Sequence, residues 1–217
     1  MKTTLFRKIG RCSRRLFLKL YRLGESARGV PYAECDVIIP HGCGLTADGR
    51  LVNYNIGALK SAVSAARRFP NAPILLISTK AGEERHWEEE RRIEQKLKIG
   101  FLVAGGVEKD RIISIDAGAE NTVAEVREAS WRLFDKKDLV VICDWVQSRS
   151  ARIIWRHFCP DAVIHIEEFE AEWNGEHRAW LLKSPCRWIA TNLVRHALLR
   201  LLGVERTGNF RQRFRPA

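Results

Sequence analysis

Residues 138–169 read DLVVICDWVQSRSARIIWRHFCPDAVIHIEEF. The run 138–145 is apolar and rich in β-branched residues, SRSARIIWRHF (148–158) has helical spacing, and DAVIHIEEF (161–169) returns to a strand pattern. A strand that is apolar throughout has no face to offer water. Joined through a helix to another such strand, it belongs to a parallel sheet covered on both sides. The same alternation runs back through the chain. CDVIIP (35–40), APILLIS (72–78) and RIISID (111–116) read as strands. NYNIGALKSAVSAARRF (53–69) reads as a helix with Ile56, Leu59, Val63 and Ala66 on one face. EERHWEEERRIEQKLKIGFL (83–102) is a strongly charged helix whose apolar positions are Trp87, Ile93 and Leu97, and NTVAEVREASWRLF (121–134) is another helix. The expected fold is α/β: a Rossmann-like parallel sheet of about five strands with helices on both faces. Ligands of such sheets bind beyond the carboxyl ends of the strands, here the loops 41–44, 78–82, 116–122 and 144–149.

Charge divides the chain of 217 residues into a body and two basic ends. Residues 1–24 hold eight Lys/Arg and no acid, and residues 175–217 hold nine against two acids. The stretch between them, with twenty Lys/Arg and twenty-four Asp/Glu, is slightly acidic. The expected layout is a basic amphipathic segment over 1–30, the α/β domain over 35–170 and a basic helical extension over 171–217. In MKTTLFRKIGRCSRRLFLKLYRL (1–23) cations interrupt every apolar run, which argues against a transmembrane span or a secretory signal. Leu5, Ile9, Leu16, Leu20 and Leu23 share part of one helical face. Three uses fit that pattern: a helix lying on an anionic membrane surface, a helix packed on its own domain, or an organelle-targeting peptide. In SPCRWIATNLVRHALLRLLG (184–203), Ile189, Leu193, Ala197 and Leu201 recur every four residues and Gly203 is a natural stop; docking on the body is the expected role. Either end also has the apolar content for a dimer contact, and the oligomeric state is left open. Nucleic acid is not an expected specific partner, since the acidic body offers no basic groove. Six cysteines show no CxxC pair and no zinc spacing, so no metal site is expected, and the compartment is expected to be reducing. The expected location is cytoplasmic, peripheral on the inner membrane face if residues 1–24 bind lipid.

Each loop has an ordinary explanation beside a functional one. Gly42 and Gly44 permit a tight turn, but no GxGxxG or GxxxxGK[ST] pattern accompanies them. Asn121 and Thr122 have the chemistry of a helix cap. His41 reads as a solvated loop histidine, and Glu88–Glu90 as a solvated helix face near Arg91 and Arg92.

Taken in order, PHGCG (40–44), STKAG (78–82), the acid Glu89, GVEKDRIISIDAGAENT (106–122) and WVQSRSARIIW (145–155) resemble the motifs of the YdcF-like (SanA–ElyC) family. The resemblance spans roughly residues 35–167. It implies a Rossmann-like sheet with a Gly-rich turn after the first strand and a small-residue turn after the second. A helix acid (Glu89), an acid-x-x-Ser-x-Asn-Thr segment with Asp116 and Asn121–Thr122, and a His-x-x-Arg-Ala segment complete the set. It further implies a small polar or phosphorylated ligand, either S-adenosylmethionine-like or like a lipid-linked envelope precursor, with S-adenosylmethionine as the cofactor the family suggests. The implied ligand residues are His41, Gly42, Gly44, Ser78, Gly82, Glu89, Asp116, Asn121, Thr122, Gln147 and Arg149; His41, Glu89 and Asp116 are the candidates for catalysis.

The chain departs from the family pattern where chemistry would be carried out. Gln147, Ser150 and Ala151 occupy the His-x-x-Arg-Ala positions, with Arg149 and Arg152 alongside, and Ala119 replaces the usual serine. Glutamine does not titrate, so the obvious general acid or base is missing. Two classes of function follow: a small-ligand domain of the family type with reduced or absent turnover, and a non-catalytic interaction protein at a membrane surface. Whether the chain is an enzyme is left open.

Overall fold

The computed structural model describes residues 32–42, 44–79, 87–119, 121–172 and 184–213. Residues Ala33–Ala217 form one compact unit, and the basic N-terminal segment lies outside the described residues.

Five strands make one sheet: β1 (Val37–Pro40), β2 (Ile74–Thr79), β3 (Ile112–Ala119), β4 (Asp138–Asp144) and β5 (Val163–Phe169). Their spatial order is β3-β2-β1-β4-β5 and every pairing is parallel. The helices are α1 (Asn53–Arg68), α2 (Trp87–Ala104), α3 (Thr122–Ser130), α4 (Ser148–Phe158), α5 (Pro185–Leu202) and α6 (Val204–Arg213). This is the Rossmann-like α/β sheet expected from the strand composition. The chain builds outward from β1 through β2 to β3, then returns to place β4 on the other side of β1. The crevice between the ends of β1 and β4 is therefore the topological switch point, where open α/β sheets take their ligands.

The central strands explain the parallel arrangement. All four residues of β1 are buried, and so is β4 after its first residue. Val37, Ile39, Leu75, Ile77, Ile115, Leu139, Val141 and Cys143 face one way and pack with α3 and α4 through Val123, Val126, Ala129, Ala151, Ile154 and Trp155. Ile38, Ile74, Leu76, Val140 and Ile142 alternate to the other face, which α1 covers with Ala58, Leu59, Ala62 and Val63. Edge strand β5 shows the weaker alternation of a half-buried strand. The four described cysteines are free.

The basic C-terminal region docks on the body, but not by the expected stripe. Leu199 and Val204 join the hydrophobic core, and Trp188 and Asn192 are buried, whereas Ala197 is exposed and Leu201 is 80% exposed. Positions 188, 192, 195 and 199 follow the 3.6-residue period; a strict four-residue repeat such as 189-193-197-201 drifts round the helix and leaves the interface. Helix α3 also ends sooner than expected, so Trp131 and Phe134 stand in solvent after its last turn.

One side chain ties the edge of the sheet to α1. The Arg111 guanidinium, just before β3, donates to the carbonyls of Phe69 (2.9 Å) and Ala72 (2.7 Å) and, more distantly, of Ala66 (3.4 Å). These are the last carbonyls of α1 and its exit turn, where a helix end is partially negative and lacks donors. Arg111→Ala is expected to cost about 1–3 kcal/mol, lowering Tm by roughly 2–4 °C per kcal/mol. Chemical denaturation of the two proteins checks it.

Candidate functional site

Beyond the end of β1 the chain turns through His41–Gly44. His41 N donates to Ile142 O at 2.9 Å, holding the turn against β4. Gly44 has φ 77°, a conformation that side chains other than glycine adopt at a cost. At Gly42 the requirement is space: a Cβ there would lie 2.3 Å from Lys98 Nζ. Glycine at 42 lets an ammonium come down onto the backbone.

That ammonium belongs to a buried ion pair. Glu94 and Lys98, one turn apart on α2, are only 3% and 4% exposed, and Lys98 Nζ lies 2.6 Å from Glu94 Oε1. The same oxygen accepts from Gly44 N (3.2 Å) and from Asn55 Nδ2 (3.2 Å), while Asn55 Nδ2 also reaches Gly44 O at 2.8 Å. Each ion therefore has partners, as a charge withdrawn from water must. Glu125 of α3, also buried, feels the charges of Lys98, Glu94 and Arg195. Burial pushes its carboxyl up to about 8, so it is protonated at neutral pH and can donate a hydrogen bond. The structure thus gathers Asn55, Glu94, Lys98, Glu125 and the Gly42–Gly44 turn from four elements.

A cavity of about 370 Å³, lined in part by Arg195, opens between the N-terminus of α3 and helices α5 and α6. Asn121, Thr122 and Arg195 supply its polar wall, and Val123, Val194 and Leu198 much of the rest. Asn121 is also the N-cap of α3: its Oδ1 accepts from Val123 N (3.0 Å) and Ala124 N (3.1 Å). Cap and cavity wall are the same residue.

At the crevice between β1 and β4 most polar groups pair with a neighbour, while Asp144 Oδ1 and the Ser150 hydroxyl are buried without one among the described residues. Trp155 Nε1 donates to His41 Nε2 at 2.9 Å. A neutral imidazole that accepts at Nε2 carries its proton on Nδ1. Burial, with Arg195 and Lys98 adding repulsion, lowers the His41 pKa to about 4. His41 is therefore not the solvated loop residue its sequence context suggests, and its low basicity and occupied Nε2 make it a poor base at neutral pH. Tyr54 Oη donates to Gln147 Oε1 (2.5 Å) and accepts from Asp144 N (3.3 Å), so Gln147 is buried as a partner of α1. Asp144, fully buried, accepts from Trp188 Nε1 at 2.8 Å, and burial raises its carboxyl to about 7 against the lowering effect of that bond.

The remaining expected residues are dispersed. Glu89 is exposed in the first turn of α2; Glu94, five residues on and about 140° round the helix, is the acid turned inward. The expected apolar face of α2 is likewise displaced: Ile93 and Leu97 are 39% and 37% exposed, and the inward face is the charged pair followed by Leu102. Ser78 is buried with its hydroxyl donating to Ile115 O (3.2 Å), on a different groove. Arg149 lies partly exposed on the first turn of α4. The backbone of Asp116 pairs in register with Ser78, but its side chain, like Gly82, lies outside the described residues. Among the described residues no group of three or more His, Cys, Asp or Glu is placed to hold a metal ion, and no helix is long and apolar enough to cross a membrane.

Sequence reasoning passed over Asn55, Glu94, Lys98, Glu125 and Arg195. The available signal was Glu94-x-x-x-Lys98-x-x-x-Leu102, an ion pair on the same helical face as a large apolar residue. Compared with protein-family models, with curated proteins and with solved structures, the chain gives no match.

Two outcomes follow from this electrostatic arrangement. Removing the cation in Lys98→Ala strands Glu94 in the interior and is expected to cost about 3–5 kcal/mol, read by equilibrium unfolding. The second concerns pH. Glu125 holds a proton up to about 8 in the fold but releases it near 4.5 when unfolded, so stability falls as pH rises across that window; Asp144 acts alike, from 3.8 up to about 7. His41 works oppositely: it stays neutral down to about 4 while the unfolded ring titrates near 6.5, so stability is lost as pH drops between them. In melting curves from acid to mildly alkaline pH, Glu125→Gln should abolish the loss of stability between about 7 and 8, where neither Asp144 nor His41 titrates, and lessen it between about 4.5 and 7.

Proposed function

We propose that the chain binds a small polar or phosphorylated ligand at the carboxyl ends of its strands, of the S-adenosylmethionine-like or envelope-precursor-like class that its resemblance to the YdcF-like family implies. The observation carrying this proposal is the buried Glu94–Lys98 pair against the Gly42–Gly44 turn, with Glu125 beside it. Packing alone does not call for such a cluster. Burying an ion costs several kcal/mol even after relaxation, and apolar residues of similar size serve a core at least as well. Every bond described to Glu94 falls on Oε1, leaving Oε2 to accept from a ligand amine or hydroxyl. Neutral Glu125 supplies a donor, and Arg195 at the cavity wall offers a cation to a carboxylate or phosphate.

Binding rather than turnover is the activity proposed. The imidazole nearest the turn is held neutral by burial and bonded to Trp155, and Gln147 stands where a titratable group would be needed. No bond-breaking step is assigned.

The test is a thermal-shift screen followed by calorimetry, with S-adenosylmethionine, nucleotides, sugar nucleotides and polyprenyl phosphates as probes. One class should raise Tm in the wild-type chain. Glu94→Gln and Arg195→Gln should each weaken that ligand by roughly tenfold or more, the loss of one charged hydrogen bond being about 1.5–3 kcal/mol. Arg152→Gln, on the outer part of α4, should bind normally. Wild-type protein indifferent to every probe, or unaltered binding by Glu94→Gln, would remove the proposal.

A further inference from the structure

A flank of α2 that starts at Arg91, seven residues before Lys98, and runs round through Gln95 to Lys96 borders a second concavity. Arg91, Arg92, Gln95 and Lys96 of α2, Ser78 at the end of β2 and Lys109 in the turn before β3 line a groove of about 420 Å³. Its volume is that of a small-molecule site. The floor is fixed by two hydrogen bonds to one acceptor: Ile115 O receives Ser78 Oγ (3.2 Å) and Gln95 Nε2 (3.3 Å).

Four cations in one concavity require an account, because like charges held together repel and raise the local potential. They are not overflow from a generally basic surface, since residues 25–174 hold more acids than bases. Nor are they all neutralised locally. Among the described residues no carboxylate pairs with Arg92, Lys96 or Lys109, although the first turn of α2 carries Glu88, Glu89 and Glu90. Arg92 and Lys96 are one turn apart, about 6 Å along the axis. Arginine offers a planar fork to phosphate oxygens and lysine a mobile point charge; an anion with several oxygens over that length meets both kinds at once. No aromatic side chain among the described residues lines the groove, so it lacks a platform on which a base would stack.

We propose that this groove binds a polyphosphate group, two or more linked phosphates, through Arg91, Arg92, Lys96 and Lys109. It is distinct from the Glu94–Lys98 cluster, on a neighbouring flank of the same helix, and shares with the strand ends only Ser78. Linked phosphates could come free or as the tail of a nucleotide, and recognition of the phosphates alone treats both alike.

The experiment is calorimetric titration of the full chain with sodium tripolyphosphate, with ATP and with adenosine, at low and at high salt. Tripolyphosphate and ATP should bind similarly, both more weakly at high salt, and adenosine should be silent. The triple variant Arg92→Glu, Lys96→Glu, Lys109→Glu should lose roughly tenfold or more in affinity with little change in Tm. Its neutral counterpart, Arg92→Gln, Lys96→Gln, Lys109→Gln, provides the same reading should three reversals impair folding. The reference is a chain with equal charge removed from the N-terminal basic segment, Arg14→Glu, Arg15→Glu, Lys19→Glu, which should bind as wild type. No binding by wild type, equal losses in groove and N-terminal variants, or binding of ATP without tripolyphosphate would overturn the proposal.

Discussion

A single carboxylate oxygen, Glu94 Oε1, draws together the turn after β1, the first helix and the second. It meets Lys98 Nζ, Gly44 N and Asn55 Nδ2 at once. Each contact constrains something else. Lys98 Nζ sits where a Cβ on residue 42 would meet it at 2.3 Å, and the turn presents Gly44 N with φ near 77°, where glycine is favoured. Asn55 must be buried on α1 rather than exposed, and the Lys98 charge is what Glu125 on α3 senses. An unpaired ion in this interior would be expensive, so these choices stand or fall together.

The sheet was legible because the physics of a parallel strand is local. A strand buried on both faces must be apolar at every position, and three such runs, β1, β2 and β4, separated by helical periods leave little choice of architecture. The element ends moved by a few residues, since main-chain pairing rather than composition decides where a ladder stops. The misreadings concern faces. Hydrophobic periodicity assumes that the inward side of a helix is the apolar side. On α2 that assumption fails: the inward side is an ion pair, Ile93 and Leu97 are each more than a third exposed, and Glu89 lies in solvent while Glu94 turns inward. On α5 the error is one of period, because a four-residue repeat is close to 3.6 for one turn and has drifted off the interface after three. Asn121 caps α3 and also lines the cavity beside it.

The crevice between β1 and β4 illustrates why site chemistry is harder to read than fold. A histidine, an aspartate, a tyrosine and a glutamine meet there, an inventory that would suit acid–base catalysis. The distances pair them with one another and with two indoles: His41 with Trp155, Asp144 with Trp188, Gln147 with Tyr54. Burial then drives His41 and Asp144 toward their neutral forms, the histidine down to about 4 and the aspartate up to about 7. What results is a polar seam that fixes the crevice's shape. Residue identity alone does not distinguish a seam from a reactive centre; the partner of each nitrogen and oxygen does.

The C-terminal helices are part of that shape. Trp188 reaches from α5 to the carboxylate at the end of β4, and two turns further along the same helix Arg195 stands at the cavity wall with Asn121. A helix advances about 1.5 Å per residue, so anchoring Trp188 sets Arg195 roughly 10 Å away along the axis with little freedom to slide. Leu199 and Val204 secure the far end by entering the core on the α3–α4 side. A basic segment that composition alone marks as an appendage thus delivers one cation to a defined place, beside a neutral carboxyl and a helix N-terminus. Arg187, Arg200 and Arg206 are exposed, whereas the position of Arg195 is dictated by one indole, two aliphatic side chains and the period of the helix between them.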